Sequence, residues 1–220
     1  MLIDLRTYTF HPGKLPEFLP LFEAEGLPLQ RGYCGNLLFY AVGSTGSLNE
    51  VVQAWAYKDT TDRDARRSAL WHDRGFIAFG KKALPLIRHQ ENQLLATTSF
   101  TTIAHPFAGC GLIDLRAYTF IPGGLREFLP ICAEQGLPKQ RAACGHMVFH
   151  ATSESGTLNQ LVQAWAYRDE ADYNARQKTL FADGAWTAAY RSKVIHLAVH
   201  QQHRFLTPTA FSPDATNPIV

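Results

Sequence analysis

The chain has 220 residues, of which 46% are hydrophobic and 18% charged, and its formal net charge is +2. This composition is typical of a globular protein with an ordinary apolar core, and the scattered Lys and Arg residues form no basic run that would indicate a nucleic-acid partner. No stretch has the roughly 18 consecutive apolar residues that cross a membrane, and the first residues alternate in polarity, unlike a signal peptide. We therefore expect a cytoplasmic protein with no nucleic-acid and no membrane partner.

The first half of the chain predicts six elements in the order strand, helix, strand, strand, helix, strand. Strands are indicated by alternating polarity and by β-branched and aromatic residues, and helices by apolar residues at helical spacing. Pro20 is expected to kink or shorten the first helix because it lacks an N–H donor, and Asp59 or Thr60 is expected to cap the second. The predicted strands cover residues 2–10, 37–42, 50–57 and 88–97, and the predicted helices cover residues 15–30 and 59–82.

The second half of the chain repeats the first. The string LIDLRTYTFHPGKLPEFLP, which begins at Leu2, recurs as LIDLRAYTFIPGGLREFLP from Leu112, and the later strings also align without a gap. A repeat of this length is a whole small domain and not a solenoid unit. The sequence therefore predicts a first α+β unit at residues 1–98, a linker at 99–111, a second α+β unit at 112–207 and an irregular tail at 208–220.

The order βαββαβ is that of the ferredoxin-like split unit, in which helices cover only one face of the sheet. The uncovered face must be buried against another layer, and the second unit of the same chain is its natural partner. We therefore predict an α+β fold in which two tandem ferredoxin-like units pack sheet to sheet as an intrachain dimeric α+β barrel. The alternative is that each unit pairs with a unit of another chain.

Three ordered motifs occur in both units and carry a family resemblance. They are R-x-Y-x-x-x-P-G from Arg6 and Arg116, a G-x-L-N start that leads to W-x-Y at residues 46–57 and 156–167, and A-R-x-x-x-L-x-x-D from Ala65 and Ala175. Together they resemble the NIPSNAP family of the dimeric α+β-barrel superfamily. The resemblance implies this fold and further self-association, so we expect a homo-oligomer. It supplies no catalytic residues, because the superfamily includes monooxygenases, haem-degrading enzymes and small-molecule binders.

Side chains alternate across a strand, which divides the first and third strands of each unit into two faces. The face with Ala and aliphatic residues suits packing against helices, whereas the face with large, polar-tipped residues suits the barrel interior. We therefore predict that two matching sets converge on an interior cavity and form candidate ligand-binding residues: Arg6, Tyr8, Gln53, Trp55 and Tyr57 in the first unit, and Arg116, Tyr118, Gln163, Trp165 and Tyr167 in the second.

Arg6 and Arg116 have two alternative interpretations. A buried guanidinium needs a partner, and Asp4 or Asp114, two residues earlier on the same face, can form a structural ion pair with it. Alternatively, the guanidinium binds the carboxylate or enolate of a small acidic or aromatic ligand.

Several histidines occur in the second unit only. His146 and His150 replace Asn36 and Tyr40 and join the candidate ligand-binding residues, while His196, His200 and His203 lie near the last strand. His146 is expected to share a strand face with His150, and His196 with His200. The cluster is interpreted either as a metal or haem site or as drift after duplication. Because no carboxylate or Cys lies at ligand spacing, we expect no metal and no cofactor.

The sequence leaves the catalytic residues unassigned. It has no G-x-S-x-G nucleophile elbow and no phosphate-binding loop, and its four cysteines form no CxxC pair, so they are interpreted as buried thiols. We expect a barrel cavity that binds a small organic acid or an aromatic molecule. The alternatives are a cofactor-independent monooxygenase, isomerase or haem-related enzyme, and a structural or interaction protein with a solid barrel.

Overall fold

The computed structural model describes residues 1–214 and 216, and the first unit follows the predicted order of elements. Short π-helical and 3₁₀ segments join the regular helices. The elements are β1 (Leu2–Phe10), α1 (Leu15–Leu21), a π-helical segment (Phe22–Gly26), α2 (Leu27–Tyr33), β2 (Asn36–Gly43), β3 (Glu50–Tyr57), α3 (Thr60–His72), α4 (Arg74–Ala83), a 3₁₀ turn (Leu84–Leu86) and β4 (Ile87–Thr97).

The second unit repeats this order, with a longer π-helical segment where the first unit has α4. Its elements are β5 (Leu112–Phe120), α5 (Gly124–Ile131), a π-helical segment (Cys132–Gly136), α6 (Leu137–Cys144), β6 (His146–Ser153), β7 (Gln160–Tyr167), α7 (Glu170–Ala182), a π-helical segment (Ala185–Arg191), α8 (Ser192–Val194), a 3₁₀ turn (Ile195–Leu197) and β8 (Ala198–Pro208).

The eight strands form one closed antiparallel barrel in the order β1-β3-β2-β8-β5-β7-β6-β4. Two seams join the units, since β2 pairs with β8 and β4 pairs with β6. Both units of one chain therefore build the barrel, which confirms the predicted intrachain α+β barrel. Closure also pairs the strand edges that an open sheet would leave exposed.

Prolines inside the first helix of each unit are accommodated by a π-helical turn. Pro20 lies in α1 and Pro130 in α5, and a π-helical segment begins two residues after each of them. A proline removes one backbone hydrogen bond and crowds the preceding turn, and a π turn is one way in which a helix adjusts its register. The first helix of the first unit therefore continues to Tyr33 instead of ending near Gln30.

The second predicted helix is two helices that meet at Asp73. The Asp59 side chain accepts a hydrogen bond from Asp62 N, which confirms the predicted N-cap of α3. Asp73 then ends α3 in an extended conformation, and its side chain accepts from Phe76 N to cap α4. A side chain that caps a helix start favours a new helix, so one long helix over residues 59–82 was the wrong prediction.

The second unit contains one extra residue, which corrects the prediction of a gapless repeat. Leu5 pairs with Gln93 in the first unit, whereas the equivalent Leu115 pairs with Arg204, one residue further along. The extra residue lies in the π-helical segment Ala185–Arg191, which stands where the first unit has α4. A π turn takes up one residue without ending the helix. Arg204 is consequently the equivalent of Gln93.

The two faces of the strands lie opposite to the prediction. The small and aliphatic face, with residues such as Leu5, Val52 and Ala54, lines the barrel interior. The polar-tipped face, with residues such as Tyr8 and Trp55, packs beneath the helices. An eight-stranded barrel is only wide enough for side chains to fill it, so small residues fit inside and large aromatic residues fit outside.

Part of the linker closes one end of the barrel. Ile103 and Phe107 pack against the barrel core, and Ala104 N donates to Val148 O. Beside them in that core, the equivalent rings of Phe39 and Phe149 stack with their centroids 6.4 Å apart. This end is therefore filled with apolar side chains.

Each unit is also covered by a segment that follows the last strand of the other unit. After β8, the Phe211 ring lies 5.8 Å from Phe22 and 5.2 Å from Tyr40 in the first unit. After β4, the Phe100 ring lies 5.4 Å from His150 in the second unit. The predicted irregular tail thus contributes packing up to residue 214, while residues 215 and 217–220 lie outside the described part of the chain.

Gly136 is needed where its helix passes over the ring of Tyr190. A Cβ at Gly136 would lie 2.3 Å from Tyr190 Cζ. We expect Gly136→Ala to lower the free energy of unfolding by about 1–3 kcal/mol, as overpacking does, in urea denaturation. Gly32→Ala is the matched control, because its Cβ would meet no atom within 4 Å and alanine favours a helix by about 0.5–1 kcal/mol. Equal stability of the two variants would contradict this account.

Candidate functional site

Each unit has a cleft between its sheet and its helices. The cleft of the second unit has a volume of about 140 Å³, and that of the first about 70 Å³. Arg6 and Tyr8 line the first cleft, and Arg116, Tyr118 and Gln163 line the second. The predicted convergence of both sets on one interior cavity is therefore wrong, because each set lies on the outer face of the barrel in its own unit.

Arg116 extends from β5 into the second cleft and has one buried guanidinium nitrogen that makes no hydrogen bond within the described residues. Its Nε donates to Asp114 Oδ2, and its guanidinium carbon lies 5.9 Å from the centre of the Tyr173 ring. Nη2 is buried and has no hydrogen-bond partner in residues 1–214 and 216. A buried N–H without an acceptor costs about 1–3 kcal/mol, so an oxygen placed beside Nη2 would be stabilised.

The charge of Arg116 is maintained despite its burial. Burial lowers the pKa of the guanidinium, but the interactions with Tyr118 and Asp114 outweigh this and raise the pKa above its ordinary value. Burial also raises the pKa of the Tyr118 phenol, which stays neutral at pH 7. The second cleft therefore presents a permanent cation beside a neutral hydroxyl.

Arg6, the equivalent of Arg116, is more completely paired. Its Nε donates to Tyr8 Oη at 2.9 Å and its Nη1 donates to Asp4 Oδ2 at 3.0 Å. Asp4 is completely buried and also accepts from Arg63 and Asn92. The first cleft thus contains the structural ion pair that strand alternation allows, and within the described residues it has no buried guanidinium nitrogen without a partner.

Gln53 and Gln163 are oriented by the tryptophans two residues later. Trp55 Nε1 donates to Gln53 Oε1 at 2.7 Å, and Trp165 makes the same bond to Gln163. Both tryptophans are fully buried and lie outside the two lining sets. They therefore position the amides and are not themselves exposed to a ligand in either cleft.

Tyr57 and Tyr167 lie behind the clefts, beside buried cysteines. Burial raises the pKa of both phenols above the ordinary tyrosine value. Tyr167 Oη accepts a hydrogen bond from Gln177 at 3.3 Å, and Gln177 lines the second cleft. Tyr167 thus helps to position Gln177, a residue of the cleft lining, without lining the cleft itself.

Three aromatic residues that fill the first cleft region are replaced in the second unit. In the first unit, the Phe22 ring lies 4.5 Å from Tyr40 and 6.2 Å from Phe79. The equivalents of Phe22, Tyr40 and Phe79 in the second unit are Cys132, His150 and Tyr190. The smaller thiol and the more polar groups accompany the larger volume of the second cleft.

The replacement residues Cys132 and His150 are buried and uncharged at neutral pH. Cys132 Sγ lies 3.8 Å from His150 Nε2, and His150 Nδ1 lies 3.2 Å from Thr98 Oγ1. Burial raises the pKa of Cys132 to about 11 and lowers that of His150 to about 4. At pH 7 the group contains a thiol and a neutral imidazole, whereas a nucleophilic cysteine needs its thiolate.

His146 lies away from both clefts. A β-bulge between Met147 and Phe149 shifts the pairing of β6 with β7, so His146 and His150 do not share a strand face as predicted, since a bulge redirects side chains. The His146 Nε2 atom contacts the carbonyl oxygen of His105 in the linker, at the filled end of the barrel.

His196, His200 and His203 do not form a cluster with His146. His196 lies in the 3₁₀ turn before β8, so it does not share a strand face with His200 as predicted. His203 Nδ1 lies 3.1 Å from Asp114 Oδ1 and its ring stacks on Tyr173. Within the residues that the structure describes, no group of three or more His, Cys, Asp or Glu side chains could hold a metal ion.

Sequence reasoning missed the helical residues that complete the second cleft. These residues come from α6, α7 and the π-helical segment Ala185–Arg191, and they are Gln140, Gln177, Trp186 and Tyr190. A comparison of the units could have found three of them, because the equivalents of Gln177, Trp186 and Tyr190 are Arg67, Phe76 and Phe79. The signal is a change of polarity or hydrogen-bonding capacity in one unit only.

Two further observations bear on the expectations from the sequence. No helix in the described part of the chain is long and apolar enough to span a membrane. Cys34, Cys110, Cys132 and Cys144 are all free thiols, so no disulfide links the units.

Comparisons with known proteins agree with the motifs. The NIPSNAP family model matches residues 3–102 and 113–213, once in each unit. The chain is 30% identical to human Protein NipSnap homolog 3A and 29% identical to mouse Protein NipSnap homolog 3B, and each alignment covers 96% of this chain and 84% of the relative.

A solved structure shares the whole fold. It is that of a putative monooxygenase from Fusobacterium nucleatum, with a TM-score of 0.68, 10% identity, and coverage of 94% of this chain and 91% of that one. At this identity the likeness establishes the fold alone. The family follows from the two matches of its model, one over each βαββαβ unit, and on that basis this chain belongs to the NIPSNAP family.

Proposed function

We propose that this chain binds a small organic acid with an aromatic or apolar body in the cleft of the second unit. The observation that carries the proposal is the buried Nη2 of Arg116, which lines the cleft and has no partner in residues 1–214 and 216. A carboxylate is the natural acceptor, since charge-assisted hydrogen bonds to a guanidinium are short and strong.

The lining of the cleft supports a ligand with two different ends. The Tyr118, Phe128 and Trp186 side chains offer apolar surface for a ring, and Gln140 and Gln177 offer amide groups. Trp186 Nε1 is a second buried donor without a partner among the described residues. The volume of about 140 Å³ lies below the roughly 300 Å³ of pockets for drug-sized ligands, which favours a molecule with a single ring.

The cleft of the first unit provides less for such a ligand. Its volume is about half as large, its Arg6 is bound to Tyr8 and Asp4, and its aromatic rings pack on one another. We therefore assign ligand binding to the second unit and a structural role to the first.

Binding without turnover fits the cleft better than nucleophilic catalysis. Cys132 and His150 are both neutral at pH 7, so they do not form the charged pair that activates a thiol. Self-association of the chain and a cytoplasmic location stay predictions from the sequence.

Paired substitutions test the proposal with benzoate and salicylate as probes. Saturating benzoate is expected to raise the melting temperature of the wild type and of Arg6→Leu, because a ligand that binds only the folded state stabilises it. The same concentration is expected to give no shift in Arg116→Leu. Isothermal titration should show the same order of affinities.

Trp186→Phe provides a second test of the proposal if Arg116→Leu folds poorly. It restores the residue type that the first unit has at Phe76 and removes one unpaired donor while keeping the aromatic ring. We expect it to weaken benzoate binding severalfold. The proposal fails if neither acid shifts the wild type, or if Arg6→Leu and Arg116→Leu lose the shift equally.

A further inference from the structure

A separate, larger cavity opens at one end of the barrel. It has a volume of about 490 Å³ and is lined by equivalent residues of both units, so it lies on the axis that relates them. Its floor consists of apolar side chains, and its walls carry polar side chains that alternation directs inward. The floor includes Leu5, Leu115, Ala117 and Val162, and the polar wall includes Thr7, Glu91, Gln93, Gln160, Gln202 and Arg204.

Access to this cavity is from one side. The opposite end of the barrel is filled by the apolar core and by linker residues Ile103 and Phe107. The β2–β3 and β6–β7 hairpins flank the open end, and their residues Gly46, Ser47, Gly156 and Thr157 contribute to its lining. The barrel is thus closed by apolar side chains at one end and open, with polar side chains, at the other. We call the cavity at the open end the barrel mouth.

The two unit seams present different polar groups to the barrel mouth. On one seam Arg204 donates from Nη1 to Glu50 and from Nη2 to Thr7 Oγ1, the latter at 3.1 Å. On the other seam Gln93 Nε2 donates to Gln160 Oε1 at 2.8 Å and to Ser153 Oγ at 3.0 Å. Gln93 is the equivalent of Arg204, so one seam carries an ion pair and the other carries two amides.

Hydrogen-bonding groups remain available at both seams. Arg204 Nε and Gln93 Oε1 make no hydrogen bond within the described residues, and Arg204 retains 28% side-chain exposure. One is a donor and the other an acceptor. A ligand that carries both donors and acceptors is therefore matched to the two seams.

We propose that the barrel mouth binds a neutral, polyhydroxylated small molecule of monosaccharide size. Hydroxyl groups donate and accept, which matches the mixture of amide, guanidinium and hydroxyl groups on the wall. Leu5, Leu115 and Val162 on the floor pack against the C–H face of such a molecule. The volume lies within the range of about 300–1,000 Å³ that ligand pockets occupy.

The charges of the barrel mouth favour a neutral ligand over an acid. Glu50 already neutralises Arg204 in an ion pair, and Glu91 adds a second carboxylate to the lining. Because Glu50 neutralises Arg204, Glu91 leaves an uncompensated negative charge in the lining, and like-charge repulsion opposes an anionic ligand. The barrel mouth therefore differs in chemistry from the cleft of the second unit, where Arg116 is paired with Asp114 but keeps a buried Nη2 without a partner among the described residues.

Saturation-transfer difference NMR with D-glucose and myo-inositol at millimolar concentration tests this proposal on the full chain. We expect transfer from the wild type to at least one of the two probes. Ala117→Phe, which fills the cavity from its floor, is expected to reduce the transfer at least tenfold. Gly32→Ala, at an exposed helix position with open space around it, is expected to keep the wild-type signal.

A milder variant and a competition experiment complete the test. Gln202→Ala, on the exposed rim, is expected to reduce the transfer about threefold even where Ala117→Phe folds poorly. Benzoate is expected not to displace either probe, and the melting-temperature shift by benzoate should persist in Ala117→Phe, so this proposal and the proposed function fail independently. Absence of transfer to both probes, displacement by benzoate, or full transfer in Ala117→Phe would overturn the assignment.

Discussion

Asp4→Asn is expected to lower the free energy of unfolding by about 3–5 kcal/mol, because it removes the charge of a completely buried carboxylate that pairs with two largely buried arginines. Asp4 is completely buried and forms ion pairs with Arg6 at 3.0 Å and with Arg63 at 2.8 Å. The amide of Asn keeps the shape of the side chain but not its charge. When its oxygen accepts from Arg6 and Arg63, its nitrogen faces the amide nitrogen of Asn92, which donates to Asp4 Oδ1 in the wild type. Urea denaturation monitored by tryptophan fluorescence would measure the loss.

Asp64→Asn is the matched control for this change. Asp64 pairs with the same Arg63 at 2.7 Å, but 70% of its side chain is exposed, and exposed ion pairs contribute about 0–1 kcal/mol. A loss below about 1 kcal/mol is therefore expected. If Asp4→Asn lowered the free energy of unfolding no more than Asp64→Asn does, the buried ion pair at Asp4 would contribute no more to stability than an exposed one.

The sequence predicted the barrel but placed its two faces the wrong way round. Strand alternation correctly put Asp4 and Arg6 on one face, and the matching strings of β1 and β5 correctly implied two units of the same fold. The error came from the assumption that large polar-tipped residues face a cavity. The alanines of β3, Ala54 and Ala56, are small because eight strands enclose a narrow interior, whereas Trp55 needs the deeper space under the helices.

Other features of the site depended on changes that one sequence alone does not reveal. The extra residue in the π-helical segment Ala185–Arg191 shifts β8 by one position, which places Arg204 in the barrel mouth and His203 beside Asp114. The bulge in β6 separates His146 from His150 in the same way. Each change involves a single residue. Because side chains alternate along a strand, a shift of one residue moves the side chains that follow to the other face of the sheet.

Acid is expected to destabilise the protein through His150. Burial, together with the positive charge of Arg141, lowers the pKa of His150 to about 4, whereas an unfolded histidine titrates near 6.5. Between these values the unfolded state binds more protons, so stability is present above pH 6.5 and is lost as the pH falls toward 4. The difference corresponds to about 3 kcal/mol, at about 1.4 kcal/mol per pKa unit.

The variant His150→Phe isolates this contribution, because phenylalanine does not titrate. Urea denaturation at pH 7.5, 6, 5 and 4 is expected to show a steeper loss of stability with acid in the wild type than in the variant. The stability of the wild type relative to the variant should fall by up to about 3 kcal/mol as the pH drops toward 4, whatever the offset between them at pH 7.5, since packing differences do not depend on pH. Gly32→Ala, at an exposed helix position with open space around it, removes no titratable group and is expected to leave the acid slope of the wild type in place. Parallel curves for the wild type and His150→Phe would mean that His150 is protonated as easily in the folded chain as in the unfolded one.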